Sequence, residues 1–168
     1  MDYDVVIVGG GPAGLLAARE IAGAGFRVCI VEEHPEIGYP VKCSGLYSVS
    51  GLAALDLKLG RSIISNTIKG GRFYSPGGKK LLAYSNVERA RVVEKKLFDK
   101  FLAKEAARAG AEFRLKTKVT AVKINDGVFI KTEGGAPAPP PRPRAGGGAR
   151  PGGGAGGGVL GGAPPPPP

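Results

Sequence analysis

Residues Asp4–Glu32 read DVVIVGGGPAGLLAAREIAGAGFRVCIVE, a sequence typical of a strand, a glycine-rich turn, a helix and a second strand. Val5–Val8 form a continuous β-branched run, which is typical of a strand buried on both faces of a parallel sheet. Gly9, Gly11 and Gly14 follow at once with the spacing G-x-G-x-x-G. This order of elements predicts a βαβ unit that binds a dinucleotide.

Each glycine of the turn has its own physical role. Gly9 permits the tight turn, Gly11 lets the backbone approach a pyrophosphate, and Gly14 lets the helix pack closely on the strand. Pro12 suits the first helical turn because that position needs no amide hydrogen. With Ala13 it begins a helix whose free N–H groups and positive dipole end should point at the phosphates.

Glu32 ends the second predicted strand, Val28–Val31, 18 positions after Gly14. An acid at this distance binds a ribose 2′-hydroxyl and repels a 2′-phosphate. We therefore predict that Glu32, with the adjacent Glu33, belongs to the cofactor-binding residues.

The last 35 residues, 134–168, differ in composition from the rest of the chain. They consist of Gly, Pro, Ala and Arg with one Val and one Leu, and they contain no acid and no aromatic residue. Such a segment cannot bury enough apolar area to offset its ordering entropy, so we predict a disordered low-complexity tail. Residues 1–133 are then the foldable part.

The net charge of +10 favours an anionic cofactor, an anionic substrate or a lipid surface as partner. Nucleic acid is not favoured, because no recognition motif accompanies the charge. The two cysteines provide no disulfide framework. With no signal peptide and no membrane-spanning run, we expect a cytoplasmic protein, with peripheral membrane association as an open alternative.

Beyond Glu33 the pattern predicts a turned loop, then an inserted antiparallel portion within 47–90, and then a further βαβ element. Leu52, Leu55 and Leu59 at helical spacing predict an amphipathic helix over 47–60. Ser75–Gly78 is a strong hairpin turn. A helix is predicted from Lys95 to Ala109, followed by a strand and by a hairpin over 119–132. A basic stripe on that helix is read as a solvated face in preference to a lipid-binding one. Its members are Lys96, Lys100, Lys104 and Arg108.

The loop 34–46 contains two residues of chemical interest. Cys43 precedes Ser44-Gly45, where exposed backbone could approach a flat ring; spacing alone favours a small buried apolar side chain. His34, the one histidine of the chain, is interpreted as a surface residue. No second candidate ligand accompanies it, so no metal site is predicted.

With these motifs in place, the chain resembles the FAD-dependent geranylgeranyl reductase family, particularly its archaeal lipid-saturating members. That family belongs to the p-hydroxybenzoate hydroxylase-like flavoproteins. The resemblance is carried by D4-VVIVGGGPAG-14, by Glu32, and by P35-x-x-G-x-P-x-x-C-S-G-45. It also includes K95-x-x-F-D-x-x-L-x-x-x-A-x-x-x-G-A-111. The Gly-x-Pro-x-x-Cys element is the most specific of these to the reductases.

The resemblance implies an α/β, Rossmann-like FAD-binding three-layer fold: a parallel sheet with a β-meander hairpin, and the start of an antiparallel second lobe over 47–90. It implies FAD held by Ala13 and its neighbours at the pyrophosphate and by Glu32 at the ribose. Cys43, Ser44 and Gly45 would lie along the flavin, and the Val119 backbone would meet the adenine. Lys95 stands where the family usually has an arginine near the phosphates. A lysine keeps the positive charge but cannot make the two parallel hydrogen bonds of a guanidinium group.

The implied reaction is saturation of C=C bonds in geranylgeranyl chains of membrane lipids. The implied partners are an isoprenoid lipid substrate and an electron donor, either NAD(P)H or ferredoxin. Flavin carries the chemistry, and the protein orients the reactants and excludes water. The resemblance covers only the N-terminal part of the family, so the sequence leaves open whether this chain is itself an enzyme.

Two alternatives remain at this stage. One is a flavin-dependent monooxygenase of the same fold that acts on an aromatic substrate; the loop 38–43 argues against it. The other is a non-catalytic nucleotide-binding fragment whose proline-rich tail binds a partner in polyproline II conformation.

The family pattern breaks after residue 133. A third strand and a later flavin-contacting segment are expected there, and we predict that both are missing. Because the tail uses residues encoded by GC-rich codons, we interpret it as a frameshifted reading. Sequencing the genomic DNA across codons 130–140 should reveal a single-base shift that restores an Ala-Asp-Gly-type continuation. A reading frame without such a shift would contradict this origin.

Overall fold

The computed structural model of the chain describes residues 3–133 and the backbone of residues 135–138. Its helices are α1 (Pro12–Gly23), α2 (Val49–Ala54) and α3 (Lys95–Arg108). Its first strands are β1 (Val5–Val8), β2 (Val28–Val31), β3 (Leu46–Ser48), β4 (Ile64–Ile68), β5 (Gly70–Tyr74) and β6 (Lys80–Tyr84). Its later strands are β7 (Ala90–Val93), β8 (Glu112–Arg114), β9 (Val119–Ile124), β10 (Val128–Thr132) and β11 (Gly135–Ala138).

The central sheet is parallel and has the order β1-β2-β8. Val5 pairs with Val28 and Val8 with Val31, and β8 lies on the other side of β2. All four residues of β2 are buried, as expected for a middle strand covered on both faces. The predicted βαβ unit and the predicted parallel third strand are confirmed.

Helices α1 and α3 cover one face of this sheet. Five side chains from the two helices, each at most 1% exposed, form the centre of the core: Leu15, Ala18, Phe98, Leu102 and Ala106. The Phe98 ring lies 4.7 Å from the Tyr47 ring, measured between centroids. Each large apolar side chain buried here contributes about 1.5–3 kcal/mol to folding.

On the opposite face of the sheet, the meander β9-β10-β11 contacts the sheet through Val119 of β9. Here Tyr3, Cys29 and Val31 are buried against Val6 and against Val119 of β9. Helices, parallel sheet and meander are therefore three layers, and the predicted three-layer α/β fold is confirmed.

The meander has a third strand, which corrects the expectation that it is missing. β11 pairs antiparallel with β10, with Thr132 opposite Gly135 and Ile130 opposite Ala138. Strand pairing uses backbone groups, so a segment without large side chains can still join the edge of a sheet. Pro137, which has no N–H, suits such an edge. Residues 135–138 belong to this strand, and residues 134 and 139–168 of the predicted tail lie outside the described residues.

The segment 47–90 forms antiparallel strands, as predicted. β3, β7 and β4 form one small sheet, and β5 and β6 form a hairpin closed at Ser75–Gly78. The assignment of this segment to a substrate lobe stays a prediction. In the part of the chain that the structure describes, no helix is long and apolar enough to cross a bilayer.

The helix predicted over 47–60 is wrong in its extent. Leu46–Ser48 pair with β7 as a strand, and α2 covers only Val49–Ala54, with the Ser48 hydroxyl accepting the Gly51 N–H. Leu57 is buried although it lies outside the helix. Of the leucines at helical spacing, Leu52 is buried in α2 and Leu55 is 44% exposed, so the spacing did not mark one continuous buried face.

Tyr3 supplies a test of the contact between the segment before β1 and strand β8 of the central sheet. Its hydroxyl donates to Glu112 Oε2 at 2.6 Å, and burial together with this bond raises the pKa of Tyr3 to about 12. The bond contributes fully below the ordinary tyrosine pKa of about 10 and is lost as pH rises toward 12, because the unfolded state ionises first. Tyr3→Phe should lower the free energy of unfolding by about 1 kcal/mol at neutral pH. It should also reduce the loss of stability between about pH 10 and 12.

Urea unfolding followed by circular dichroism measures both effects. Tyr84→Phe, at a position 71% exposed on the β5–β6 hairpin, is the matched control and should follow the wild type. Equal alkaline slopes for wild type and Tyr3→Phe would contradict this assignment.

Candidate cofactor site

The glycine turn after β1 is shaped by steric limits. Gly9 has φ of +102°, which favours glycine, and its N–H donates to Val31 O at 2.8 Å. A Cβ at Gly14 would lie 2.3 Å from Gly9 O, so α1 can begin over the turn only because Gly14 has no side chain. A Cβ at Gly11 would meet nothing within 4 Å. The roles predicted for Gly9 and Gly14 agree with these contacts, and the role of Gly11 toward a pyrophosphate stays a prediction.

The N-terminus of α1 faces open space beside the turn. Gly11 is the N-cap, so no side chain caps the first-turn amides, and Pro12 occupies the first turn. Free amides and the positive end of the helix dipole favour an anion at this position. The empty space at Gly11 is the place where the backbone can approach a diphosphate.

Glu32 lies alongside the same turn, where β2 ends. Its Oε2 accepts the Gly10 N–H at 2.6 Å. Its Oε1 accepts the His34 main-chain N–H at 2.9 Å and lies 2.6 Å from His34 Nδ1. Burial alone would raise the pKa of Glu32, but these hydrogen bonds outweigh it and lower the pKa below its ordinary value. The group is therefore a firmly held carboxylate, as an acceptor for ribose hydroxyls requires.

The loop 34–43 packs on the first turns of α3. Glu36 accepts from Lys96 Nζ at 2.7 Å and from Lys100 Nζ at 3.0 Å. A Cβ at Gly38, which has φ of +82°, would lie 3.1 Å from the Lys96 backbone. The Tyr39–Pro40 peptide bond is cis. Two members of the predicted basic stripe thus hold the loop on the helix.

Lys95 and Asp99 form an ion pair at the base of the loop. Lys95 Nζ donates to Asp99 Oδ2, and Asp99 is only 4% exposed. Burial raises the pKa of Asp99, although Lys95 partly opposes this effect. The second carboxylate oxygen, Oδ1, is buried without a hydrogen-bond partner among the residues that the structure describes. A buried acceptor of this kind is costly unless a ligand or water satisfies it.

These elements enclose a cleft of about 480 Å³, a volume typical of small-molecule sites. Eight of the predicted cofactor residues line it: Gly9, Gly11, Pro12, Glu32, Glu33, Cys43, Lys95 and Val119. The Cys43 thiol is exposed, so the structure does not support the buried apolar reading that spacing alone favoured. The roles of the eight residues toward a cofactor stay predictions.

Four further predicted residues, Ala13, Gly14, Ser44 and Gly45, are not part of the cleft lining. At Gly14 and Gly45, close packing against the backbone leaves no room for a side chain. Gly45 has φ of +72°, and a Cβ there would lie 2.3 Å from Val93 O. It therefore lets the loop join β3 against β7.

The cleft also has lining residues that sequence reasoning did not assign to the cofactor, among them Gly10, His34 and Asp99. Gly10 and His34 hold Glu32, and a signal for His34 was its position two residues after the acid. Asp99 lies four residues after Lys95, which is the spacing of a helical ion pair, but its burial could not be read from the sequence. Among the described residues, no cluster of His, Cys, Asp or Glu side chains is arranged to hold a metal ion.

A comparison with known protein families identifies the class of protein to which the chain belongs. Residues 2–129 match the model of the FAD binding domain family, and the chain belongs to that family. The cofactor is FAD. The uncapped α1 N-terminus, the open space at Gly11 and the held Glu32 carboxylate fit its diphosphate and its adenosine ribose.

Relatives of known name confirm the predicted resemblance within this class. The digeranylgeranylglycerophospholipid reductase of Methanosarcina acetivorans is 40% identical over 132 residues, which are 77% of this chain and 32% of the reductase. The enzyme of the same name from Methanocaldococcus jannaschii is 41% identical over 115 residues, 68% of this chain and 29% of the reductase. The chain spans about a third of the length of these relatives.

Solved structures agree on the fold. A geranylgeranyl bacteriochlorophyll reductase-like protein from Thermoplasma acidophilum is 40% identical with a TM-score of 0.72, covering 78% of this chain and 34% of that protein. The halogenase PltM in complex with phloroglucinol and FAD is 23% identical with a TM-score of 0.63, covering 81% and 32%. The second likeness concerns the fold alone.

The different surroundings of two glycines allow a matched pair of variants. Gly14→Ala should destabilise the fold by about 2 kcal/mol or more, because its Cβ would overlap Gly9 O. Gly11→Ala should cost about 1 kcal/mol or less, since only a helix N-cap preference is lost. Its methyl group would occupy the cleft, so FAD affinity should fall about tenfold or more.

Thermal unfolding and titration of FAD fluorescence separate the two effects. Unchanged FAD affinity in a folded Gly11→Ala variant would contradict the placement of the diphosphate.

Proposed function

We propose that the chain is the FAD-binding part of a geranylgeranyl reductase-type oxidoreductase, which saturates C=C bonds in the isoprenoid chains of membrane lipids. The observation that carries the proposal is the position of the loop 34–43 in the cleft. It bears the Gly38-x-Pro40-x-x-Cys43 element of the reductase resemblance, and it lines the same cleft as the glycine turn. Identity of 40% to archaeal lipid reductases over this region supports it.

The chain's own residues bind and orient in this proposal. The α1 N-terminus holds the diphosphate, Glu32 holds the adenosine ribose, and the Val119 backbone lies at the adenine. Cys43, exposed at the loop end of the cleft, lies along the flavin. Bound and reduced, FAD supplies the hydride for the double bond, and a proton completes the addition.

The antiparallel segment 47–90 begins the substrate lobe in this proposal. Its β5–β6 hairpin exposes Phe73, Leu81 and Leu82 by 59–68% of their surface. Apolar side chains on such a surface suit contact with further apolar structure or with an isoprenoid chain. The electron donor, either NAD(P)H or ferredoxin, a cytoplasmic location and peripheral membrane contact belong to the same proposal.

An anaerobic turnover assay tests it. The full chain with FAD and dithionite is incubated with a detergent-solubilised digeranylgeranyl lipid, and mass spectrometry should detect the gain of two hydrogens for each saturated bond. Cys43→Ala should slow saturation about tenfold while FAD affinity stays within about twofold, because Cys43 contacts the flavin without anchoring it. Lys104→Ala, on the solvent side of α3, is the control and should match the wild type.

The other outcomes identify the alternatives. NADPH oxidation stimulated by aromatic acids, without lipid saturation, would overturn the proposal in favour of a flavin-dependent monooxygenase. FAD binding with neither activity would overturn it in favour of a non-catalytic nucleotide-binding protein.

A further inference from the structure

We propose that His34 is a positioning residue, which fixes the carboxylate of Glu32 so that it can bind the 2′-hydroxyl of the cofactor's adenosine ribose. This inference rests on the FAD-binding role proposed for Glu32. It goes beyond that role because it assigns the discrimination between ribose and deoxyribose to a residue outside the dinucleotide-binding pattern.

The two carboxylate oxygens of Glu32 are held from opposite sides. Oε2 accepts from the glycine turn through Gly10 N–H. Oε1 accepts the main-chain N–H of His34 and lies 2.6 Å from the His34 ring nitrogen Nδ1. A carboxylate oxygen has room for two hydrogen bonds, so Oε2 can still accept a ligand hydroxyl. Without the ring, the Oε1 side would keep only the backbone bond.

Burial makes this orientation matter. The Glu32 side chain is 12% exposed and the His34 side chain is 31% exposed, so water competes little for the contact. Since the partner of Nδ1 is a carboxylate, Nδ1 carries a proton and donates. Hydrogen bonds to charged groups in such settings are stronger than those between neutral groups.

His34 is itself fixed by its neighbours. Its carbonyl oxygen accepts the Lys116 N–H at 3.0 Å, which ties the residue to the segment after β8. The Tyr39 ring stands edge-on to the imidazole at 6.5 Å between centroids. On the other side of the imidazole, Nε2 lies 3.9 Å from Glu33 Oε1. The imidazole is therefore held in one orientation toward Glu32.

The test uses ADP and 2′-deoxy-ADP as probes, because they differ only in the hydroxyl assigned to Glu32. Isothermal titration is performed on the full-length wild type, His34→Ala and His34→Asn. The wild type should prefer ADP by about tenfold, the value of one hydrogen bond to a charged group. His34→Ala should reduce that preference to about twofold. His34→Asn keeps a side-chain N–H near the position of Nδ1 and should restore it.

FAD titration and thermal unfolding accompany each variant, with Lys104→Ala as control. A wild type that binds neither FAD nor ADP would overturn the FAD-binding role and the inference with it. A wild type that binds both, with an unchanged ribose preference in His34→Ala, would overturn the inference alone. Equal losses of ADP and 2′-deoxy-ADP affinity in His34→Ala would also overturn the inference. The same holds if His34→Asn behaves like His34→Ala. Either result would indicate that His34 has a general role in the structure of the loop.

Discussion

The cleft depends on the absence of a side chain at Gly14. Because a Cβ there would overlap the Gly9 carbonyl, only glycine lets α1 begin directly over the turn that ends β1. That placement brings the uncapped amides of α1 to the C-terminal edge of the sheet. The pairing of β1 with β2 then sets Glu32 beside Gly10. A single close contact thus sets the position of the α1 amides relative to the Glu32 carboxylate.

The distribution of charge differs from what the net charge of +10 suggests. Among the described residues that line the cleft, the acids are Glu32, Glu33, Glu36 and Asp99, and the lysines are Lys42, Lys95 and Lys118. Lys95 is neutralised by Asp99, while Lys96 and Lys100 are engaged by Glu36. The described side chains of the cleft therefore provide no excess of cations, and the groups there that favour an anion are the peptide amides and the dipole of α1.

The sequence predicted those parts of the fold that depend on local signals. The glycines, the β-branched runs and the Ser75–Gly78 turn act over a few residues, and α1, β2 and the hairpins follow from them. The helix over 47–60 was wrong because Leu46–Ser48 gain backbone bonds from β7, more than 40 positions away. β11 was missed because low apolar content says nothing about edge pairing.

Prediction of the site from the sequence is limited in the same way, because local patterns do not reveal contacts between distant segments. Glu32 follows from a fixed distance to Gly14, so its position in the cleft could be predicted. The contacts of Glu36 and Gly38 with α3 join segments about 60 positions apart, and no local pattern announces them. The burial of Asp99 is a result of that packing. His34 lies in the loop, as the sequence interpretation had it, but that interpretation left out the contact of its ring with Glu32.

The exposed position of the β5–β6 hairpin has a consequence for its local stability. Its strands pair only with each other among the described residues, and nearly all of their side chains are exposed. A two-stranded ribbon without a covered face is marginal in water. Its amide protons should therefore exchange with solvent through local opening, long before those of β2, whose exchange requires disruption of the three-layer core.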